Sequence, residues 1–210
     1  MAKKVIHHQN HQEAITNDKT VFGFWVYLMT DLLMFGVLFA TYSVLHGNIF
    51  SGPSGKQIFD LPFALTETII LLTSSFTAGL GILGARHHEM ASTPGVRSNS
   101  KNQVLIWFGV TFLLGLSFLG LELSEFHKLV TEGNSWQRSA FLSSYFALVA
   151  THGLHITFGL FWMLITMLKV KSKGLTASLT RKLTLLSLFW HFLDIVWIFI
   201  FTIVYLMGVI

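Results

Sequence analysis

Cysteine is absent from this 210-residue sequence, and charged residues are scarce. The lack of cysteine excludes disulfide bonds, thiolate metal sites, iron–sulfur clusters and a cysteine nucleophile. Charged residues make up only 11% of the chain, whereas soluble domains carry about 25%. Hydrophobic residues make up 52%, which excludes intrinsic disorder because disorder needs low hydrophobicity and high charge. These proportions are typical of a membrane protein.

Five long apolar stretches follow a polar tail that covers residues 1–20. Each stretch approaches or exceeds about 20 residues, the length with which an α-helix crosses the hydrocarbon core of a bilayer. Helices are predicted because backbone polar groups must be satisfied within lipid and the alternating pattern of membrane β-strands is missing. The sequence therefore predicts an all-α membrane protein, with a single five-helix domain at 21–210. The predicted spans are 21–45, 61–85, 104–124, 140–168 and 183–209.

The distribution of lysine and arginine predicts the orientation of these spans. The tail and the segments 86–103 and 169–182 carry 11 of the 14 basic residues, and they alternate with segments that carry few. Because basic loops stay in the cytoplasm, the N-terminus is predicted to be cytoplasmic and the C-terminus to lie outside. The formal charge of +4 is thus explained by topology. We expect no nucleic-acid partner.

Acidic and histidine side chains within or beside the spans are the candidate functional residues. A charge at the bilayer centre costs roughly 2.5–3.5 kcal/mol, and such residues usually face protein or water. No lysine or arginine lies within the predicted spans. The topology predicts that His152 lies at mid-membrane and that Glu122 lies at the outer edge. The candidates for helix packing or a proton-related role are Asp31, Glu67, Glu122, Glu125, His152, His155, His191 and Asp194.

Three roles are open for these residues. A carboxylate-bridged metal site uses Glu-x-x-His pairs, whereas Glu122 is followed by Glu125 and lies at a different predicted depth from the histidines. A bis-histidine haem needs one ligand from each of two helices, which His152 or His155 together with His191 would supply. A proton relay, or hydrogen bonding between helices, needs no cofactor. We favour this last interpretation, so no metal ligand is predicted.

A second set of candidates concerns lipid. Basic residues clustered between the fourth and fifth spans are typical of contacts with anionic lipid head groups. A tryptophan near a span end is typical of the membrane–water interface. The lipid-binding candidates are Trp25, Lys169, Lys171, Lys173 and Arg181.

Five motifs follow one another along the spans: FGFWVYLMTD (22–31), LTETIILLTSS (65–75), GLELSEFH (120–127), THGLHITFG (151–159) and LFWHFLDIVWIFIFTIVYLMG (188–208). In this order they resemble subunit III of the haem–copper terminal oxidases. The resemblance covers residues 21–210. The five-span form and the segment GPSGKQIFDLPF (52–63) are similar to the bo-type ubiquinol oxidase branch, with a menaquinol oxidase as the alternative.

The resemblance implies a non-catalytic subunit of a proton-pumping quinol:oxygen oxidase in the bacterial inner membrane. Haem and copper would belong to the large subunit I, which this chain would contact directly, and subunits II and IV would complete the complex. The chain itself would hold phospholipid between its helices and no redox centre. Structural or proton-related roles are implied for its matching motif residues, which are Glu67, His152, His155, His191 and Asp194.

Two other functions stay open at this point. A stand-alone membrane redox protein would use His155 and His191 to bind haem. A small proton-coupled transporter would use Asp31, Glu67 and Asp194 as a proton path, although the inverted repeats that many transporters have are missing.

Overall fold

The computed structural model folds the described part of the chain into helices joined by short turns. It describes the backbone of residues 2–49, 53, 55–90 and 94–209, and the side chains of residues 19–49, 53, 55–87 and 100–209. A π-helical turn, Phe201–Leu206, joins the last two helices. The helices are α1 (Ala2–Leu45), α2 (Gly55–Ile58), α3 (Leu61–Met90), α4 (Pro94–Thr131), α5 (Ala140–Lys173), α6 (Ala177–Ile200) and α7 (Met207–Val209).

Among the described residues, five helical segments are long and apolar enough to cross a membrane, as the sequence predicted. Their helices continue beyond the apolar residues, because backbone hydrogen bonding does not stop where the apolar side chains stop. The third span, predicted to end at residue 124, continues to Thr131. The candidate spans are Lys19–Leu45, Leu61–His87, Ser100–Thr131, Ala140–Lys173 and Ala177–Val209.

The chain divides into two compact units, Met1–Val37 and Leu38–Ile210. In the first unit, the backbone of α1 runs through residues 2–20, the predicted tail, into the first span without a break. Met1 and the side chains of residues 2–18 lie outside the described residues. The division into a cytoplasmic tail and one membrane domain therefore stays a prediction.

Trp190 of α6 lies at the centre of the helix packing in the second unit. Its indole Nε1 donates a hydrogen bond to the Ser74 hydroxyl of α3 at 2.9 Å. A methyl group at Gly115 of α4 would come within 2.7 Å of this ring, and one at Gly159 of α5 within 3.1 Å. The glycines therefore form the space that the indole fills, so this one side chain joins four helices.

Capping residues fix the ends of α5 and the start of α6. The Ser139 hydroxyl accepts from the backbone N–H of Leu142 at 3.1 Å, which satisfies a donor in the first turn of α5. Gly174 ends α5 with a φ of 75°, a conformation that glycine adopts without steric cost. Thr176 then caps α6 by accepting from Leu179 N–H at 3.4 Å. These local signals make the short turn between the two spans.

The short helix α2 packs against α7. A Cβ atom at Gly55 would come within 2.7 Å of the Gly208 backbone oxygen, so the two backbones touch. The ring of Phe59 lies beside both glycines, at 3.1 Å from a Cβ placed on either one. The segment before α3 is thereby held against the last turn of the bundle.

Candidate functional site

Three carboxyl groups from α3 and α4 come together in the second unit, and we call them the acid cluster. They belong to Glu67, Glu122 and Glu125, which are 0%, 2% and 9% exposed. The three groups are close enough to interact electrostatically with one another. Neither carboxyl oxygen of Glu67 or of Glu122 has a hydrogen-bond partner. The first two acids are thus buried without a polar contact, whereas the third has one.

Two buried tyrosines provide that contact. The Tyr205 hydroxyl donates to Glu125 Oε2 at 2.8 Å, and the Tyr145 and Tyr205 hydroxyl oxygens lie 3.0 Å apart. A tyrosine hydroxyl has a single proton, so Tyr145 donates to Tyr205 when Tyr205 donates to Glu125. The Phe59 ring packs on both tyrosines, at centroid distances of 5.1 and 4.9 Å. Glu125 therefore accepts at the end of a chain of two hydroxyl groups.

The second acid, Glu122, presses against α5. A Cβ atom on Gly153 would lie 2.9 Å from Glu122 Oε1 and 3.2 Å from its Oε2. Gly153 directly follows His152, so the prediction that Glu122 lies at a different depth from this histidine was wrong. The prediction placed His152 near the middle of its span, whereas the α5 span Ala140–Lys173 has its middle between residues 156 and 157, so His152 lies toward the α4–α5 turn, as Glu122 does.

His152 belongs to a layer of rings beside the acid cluster. It is fully buried and stacks on Trp197 at 5.4 Å with an interplanar angle of 28°. The Phe118 ring meets His152 edge-on at 6.0 Å and Trp197 edge-on at 4.7 Å. Trp197 Nε1 donates to the hydroxyl of Thr68, the residue after Glu67, at 3.0 Å. Aromatic packing thus accounts for the position of this imidazole.

The other polar candidates of the second unit have separate surroundings. His155 Nδ1 lies 2.7 Å from the Thr151 carbonyl oxygen of its own helix, and His191 Nδ1 lies 3.2 Å from the Ser75 hydroxyl of α3. Asp194 is 5% exposed, and its Oδ1 has no hydrogen-bond partner. The two histidines therefore have different partners on different helices.

The remaining candidates lie in the first unit or near the turn between α5 and α6. In the first unit, Asp31 shares a side-chain hydrogen bond with Tyr27, one turn earlier on α1, and Trp25 is 47% exposed. Near the turn, Arg181 is half-buried in the first turns of α6. The exposed lysines at the end of α5 are Lys169, Lys171 and Lys173.

No group of three or more histidine, aspartate or glutamate side chains forms a candidate metal site among the described residues. The arrangement instead holds carboxyl and hydroxyl groups, whose chemistry is proton binding and hydrogen bonding. Sequence reasoning missed Tyr145, Tyr205 and Gly153. A spacing signal existed, because Tyr145 lies two helical turns before His152 and so shares its face.

Several known proteins are similar to this chain over most of its length. The chain matches the family described as cytochrome c oxidase subunit III over residues 1–209. It is 52% identical to cytochrome bo(3) ubiquinol oxidase subunit 3 of Pseudomonas aeruginosa over 99% of this chain and 93% of that protein. It is 42% identical to quinol oxidase subunit 3 of Bacillus subtilis, over 92% of this chain and 89% of that protein.

Cytochrome c oxidase subunit 3 of a Bacillus species, strain PS3, is 41% identical over 90% of this chain and 86% of that protein. Proteins that the names assign to ubiquinol, quinol and cytochrome c oxidases are therefore all similar to this sequence. The family match extends over nearly every residue, and each of these relatives is covered for most of its length. The chain belongs to the cytochrome c oxidase subunit III family.

Proposed function

We propose that this chain is the non-catalytic subunit III of a proton-pumping quinol:oxygen oxidase of an aerobic respiratory chain. The observation that carries the proposal is the 52% identity, over 99% of the chain, to a ubiquinol oxidase subunit 3. Identity to the quinol and cytochrome c oxidase subunits is lower, at 42% and 41%. Ubiquinol is therefore the electron donor that we propose for the complex.

In this proposal the chain stabilises its neighbours and carries no redox centre. Subunit I, with haem and copper, is the direct partner, and subunits II and IV complete the assembly. The location is the bacterial inner membrane, with the N-terminus in the cytoplasm and the C-terminus outside, because the basic residues are concentrated in alternate connecting segments. The two other functions that the sequence left open, a stand-alone haem protein and a small transporter, gain no support from the comparisons.

The polar candidates have supporting roles in this proposal. Glu67, Glu122 and Glu125 have a proton-related role, whereas His152 contributes to packing through its stacking on Trp197. His155, His191, Asp31 and Asp194 are proposed to contribute to helix packing. Two kinds of contact with phospholipid are proposed. Trp25 of the first unit lies at the membrane–water interface, and the basic residues near the turn between α5 and α6 bind anionic head groups. These basic residues are Lys169, Lys171, Lys173 and Arg181.

Purification from native membranes in mild detergent tests this function. The chain would be captured through an affinity tag, and haem would be measured by reduced-minus-oxidised spectra before and after the partner subunits are stripped. We expect haem to arrive with a large multi-span partner and to leave with it. Haem that stays on the isolated 23.7 kDa chain would contradict the proposal and would make His155 and His191 ligand candidates.

A further inference from the structure

A polar cavity of about 230 Å³ opens beside the acid cluster, between the start of α3 and the last turns of α4. Glu125 lines it, together with the exposed side chains of Ser124, Lys128 and Glu132 and with Asp60. The volume has room for several water molecules, each of which occupies about 30 Å³ in the liquid. Glu67 and Glu122 do not line this cavity. Glu125 is therefore the member of the cluster that water reaches.

The contacts distribute charge unevenly over the three carboxyl groups. Burial disfavours a charge on all three acids, but Glu125 also accepts from Tyr205 and is attracted by Lys128, and both interactions favour its negative form over that of the other two. Glu67 and Glu122 have no hydrogen-bond partner at any oxygen, and a buried carboxylate without a partner is strongly disfavoured. Because carboxylates this close repel one another, the cluster favours one negative charge, on Glu125, and protons on the other two acids.

We propose that the acid cluster is a proton-binding site that exchanges protons with the aqueous phase through this cavity, with Glu125 as the gateway. A proton from water neutralises the Glu125 carboxylate, and the cluster then holds three protons. Release of a proton to water restores the single charge. Glu122 and Glu67 exchange their protons through Glu125, since both are enclosed by protein. This inference rests on the proton-related role that the proposed function gives these three acids and specifies it, and it requires no haem and no quinol.

The groups that face the gateway come from every element packed around it. Tyr205 and Tyr145 supply hydroxyl groups from the π-helical turn and from α5. Lys128 attracts the charge of Glu125 from one turn along α4, whereas Asp60 repels it from the start of α3. The titration that we propose is therefore a property of the coupled group and belongs to no single carboxyl.

Infrared spectroscopy of the purified oxidase complex tests the proposal. A protonated carboxyl group gives a C=O stretching band that shifts when water is exchanged for deuterium oxide. We expect a band of this kind in the wild-type complex and its loss in Glu122→Gln. In Glu125→Gln, the deuterium shift of the Glu122 band should slow by roughly 100-fold, the lower end of what a positioned acid–base group contributes to proton transfer.

Two further variants keep the test decisive if Glu125→Gln fails to assemble. Ser124→Leu places an apolar side chain in the cavity without removing a carboxyl group, and it should also slow the exchange. Ser117→Leu is the matched control, because Ser117 is equally exposed on α4 but does not line the cavity.

Two results would overturn the proposal. In the first, neither Glu67→Gln nor Glu122→Gln loses a carboxyl band that the wild-type complex shows. Both groups would then be charged in the wild-type complex. The second is wild-type exchange in Ser124→Leu and Glu125→Gln, because protons would then enter by another route. Neither result bears on whether haem travels with subunit I, so the proposed function is tested separately.

Discussion

At the scale of single residues, the lack of a side chain at a glycine determines which neighbouring side chain can pack there, just as a direct contact does. Gly115 and Gly159 contribute no side chain, and the indole of Trp190 occupies the room between their helices. Protein interiors are packed as densely as organic crystals, so a single added methyl group is felt there. Close packing of this kind also stabilises helix association in lipid, where burial of apolar surface contributes little.

Gly115→Ala should destabilise the bundle by about 1–3 kcal/mol, the usual cost of adding a methyl group to a filled core. The new Cβ would lie 2.7 Å from two atoms of the rigid Trp190 ring. The dissociation temperature of this chain from its complex, followed by native gel electrophoresis, measures the effect.

Gly120→Ala is the matched control for this prediction, because it lies on the same helix and a Cβ there meets no atom within 4 Å. Its dissociation temperature should stay at the wild-type value. Equal losses in the two variants would show that helix α4 is sensitive to alanine at any position, and the fit of Trp190 would then not be the cause.

Sequence patterns predicted which residues are polar and buried, but they did not predict which of these residues meet. Glu67 is more than fifty positions from Glu122, and hydropathy contains no information on which helix faces which. The depth of Glu122 relative to His152 was wrong because the apolar residues of the fourth span do not mark where its helix ends. Tyr205 was missed because an aromatic residue in an apolar run gives no sign that its hydroxyl has a partner, and Tyr145 because its position on the face of His152 does not show what its hydroxyl meets.

At the scale of elements, the sequence predicted the helices well, because about twenty apolar residues in lipid have few alternatives to a helix. The π-helical turn Phe201–Leu206 was not predicted, since its wider hydrogen bonding leaves the apolar pattern unchanged. Such turns occur frequently at functional sites. This one contains Tyr205, the donor to Glu125.

Ser139→Ala should weaken the start of α5, because it leaves the Leu142 N–H without its capping oxygen. We expect a loss of about 1 kcal/mol, the typical cost of removing such a cap. Thermal dissociation of the complex again provides the measurement. Ser117→Ala is the control, since its hydroxyl bonds only to the Leu113 carbonyl on an exposed helix face. A drop for Ser117→Ala as large as that for Ser139→Ala would contradict the capping role.

At the scale of the whole molecule, the distribution of basic residues predicts a direction across the membrane. Five candidate spans place the two ends of the membrane-crossing region on opposite sides, whichever side comes first. The argument for the direction comes from the lysine and arginine side chains in segments 86–103 and 169–182. Lysine and arginine near span ends resist transfer across the membrane. The basic residues therefore predict the direction across the membrane, which the positions of the helices alone do not determine.

Alkaline phosphatase fused after Asn134 and after Leu175 measures this direction, because the enzyme is active only outside the cytoplasm. Asn134 lies in the turn between α4 and α5, and Leu175 lies in the turn between α5 and α6. We expect high activity for the first fusion and low activity for the second. The two fusions serve as each other's control, and the opposite pattern would reverse the proposed orientation.

The contact between α2 and α7 has a consequence for the order of biosynthesis. Gly55 leaves the ribosome before four of the five spans, whereas its neighbour Gly208 lies at the end of the fifth. At the usual rate of 5–20 residues per second, roughly 8–30 s separate the synthesis of the two glycines. During that interval Phe59 lacks the part of its packing surface that Tyr205 and Gly208 provide. The bundle therefore closes only when its last helical turn has been inserted, and a nascent chain stalled within α6 would present this aromatic side chain to chaperones.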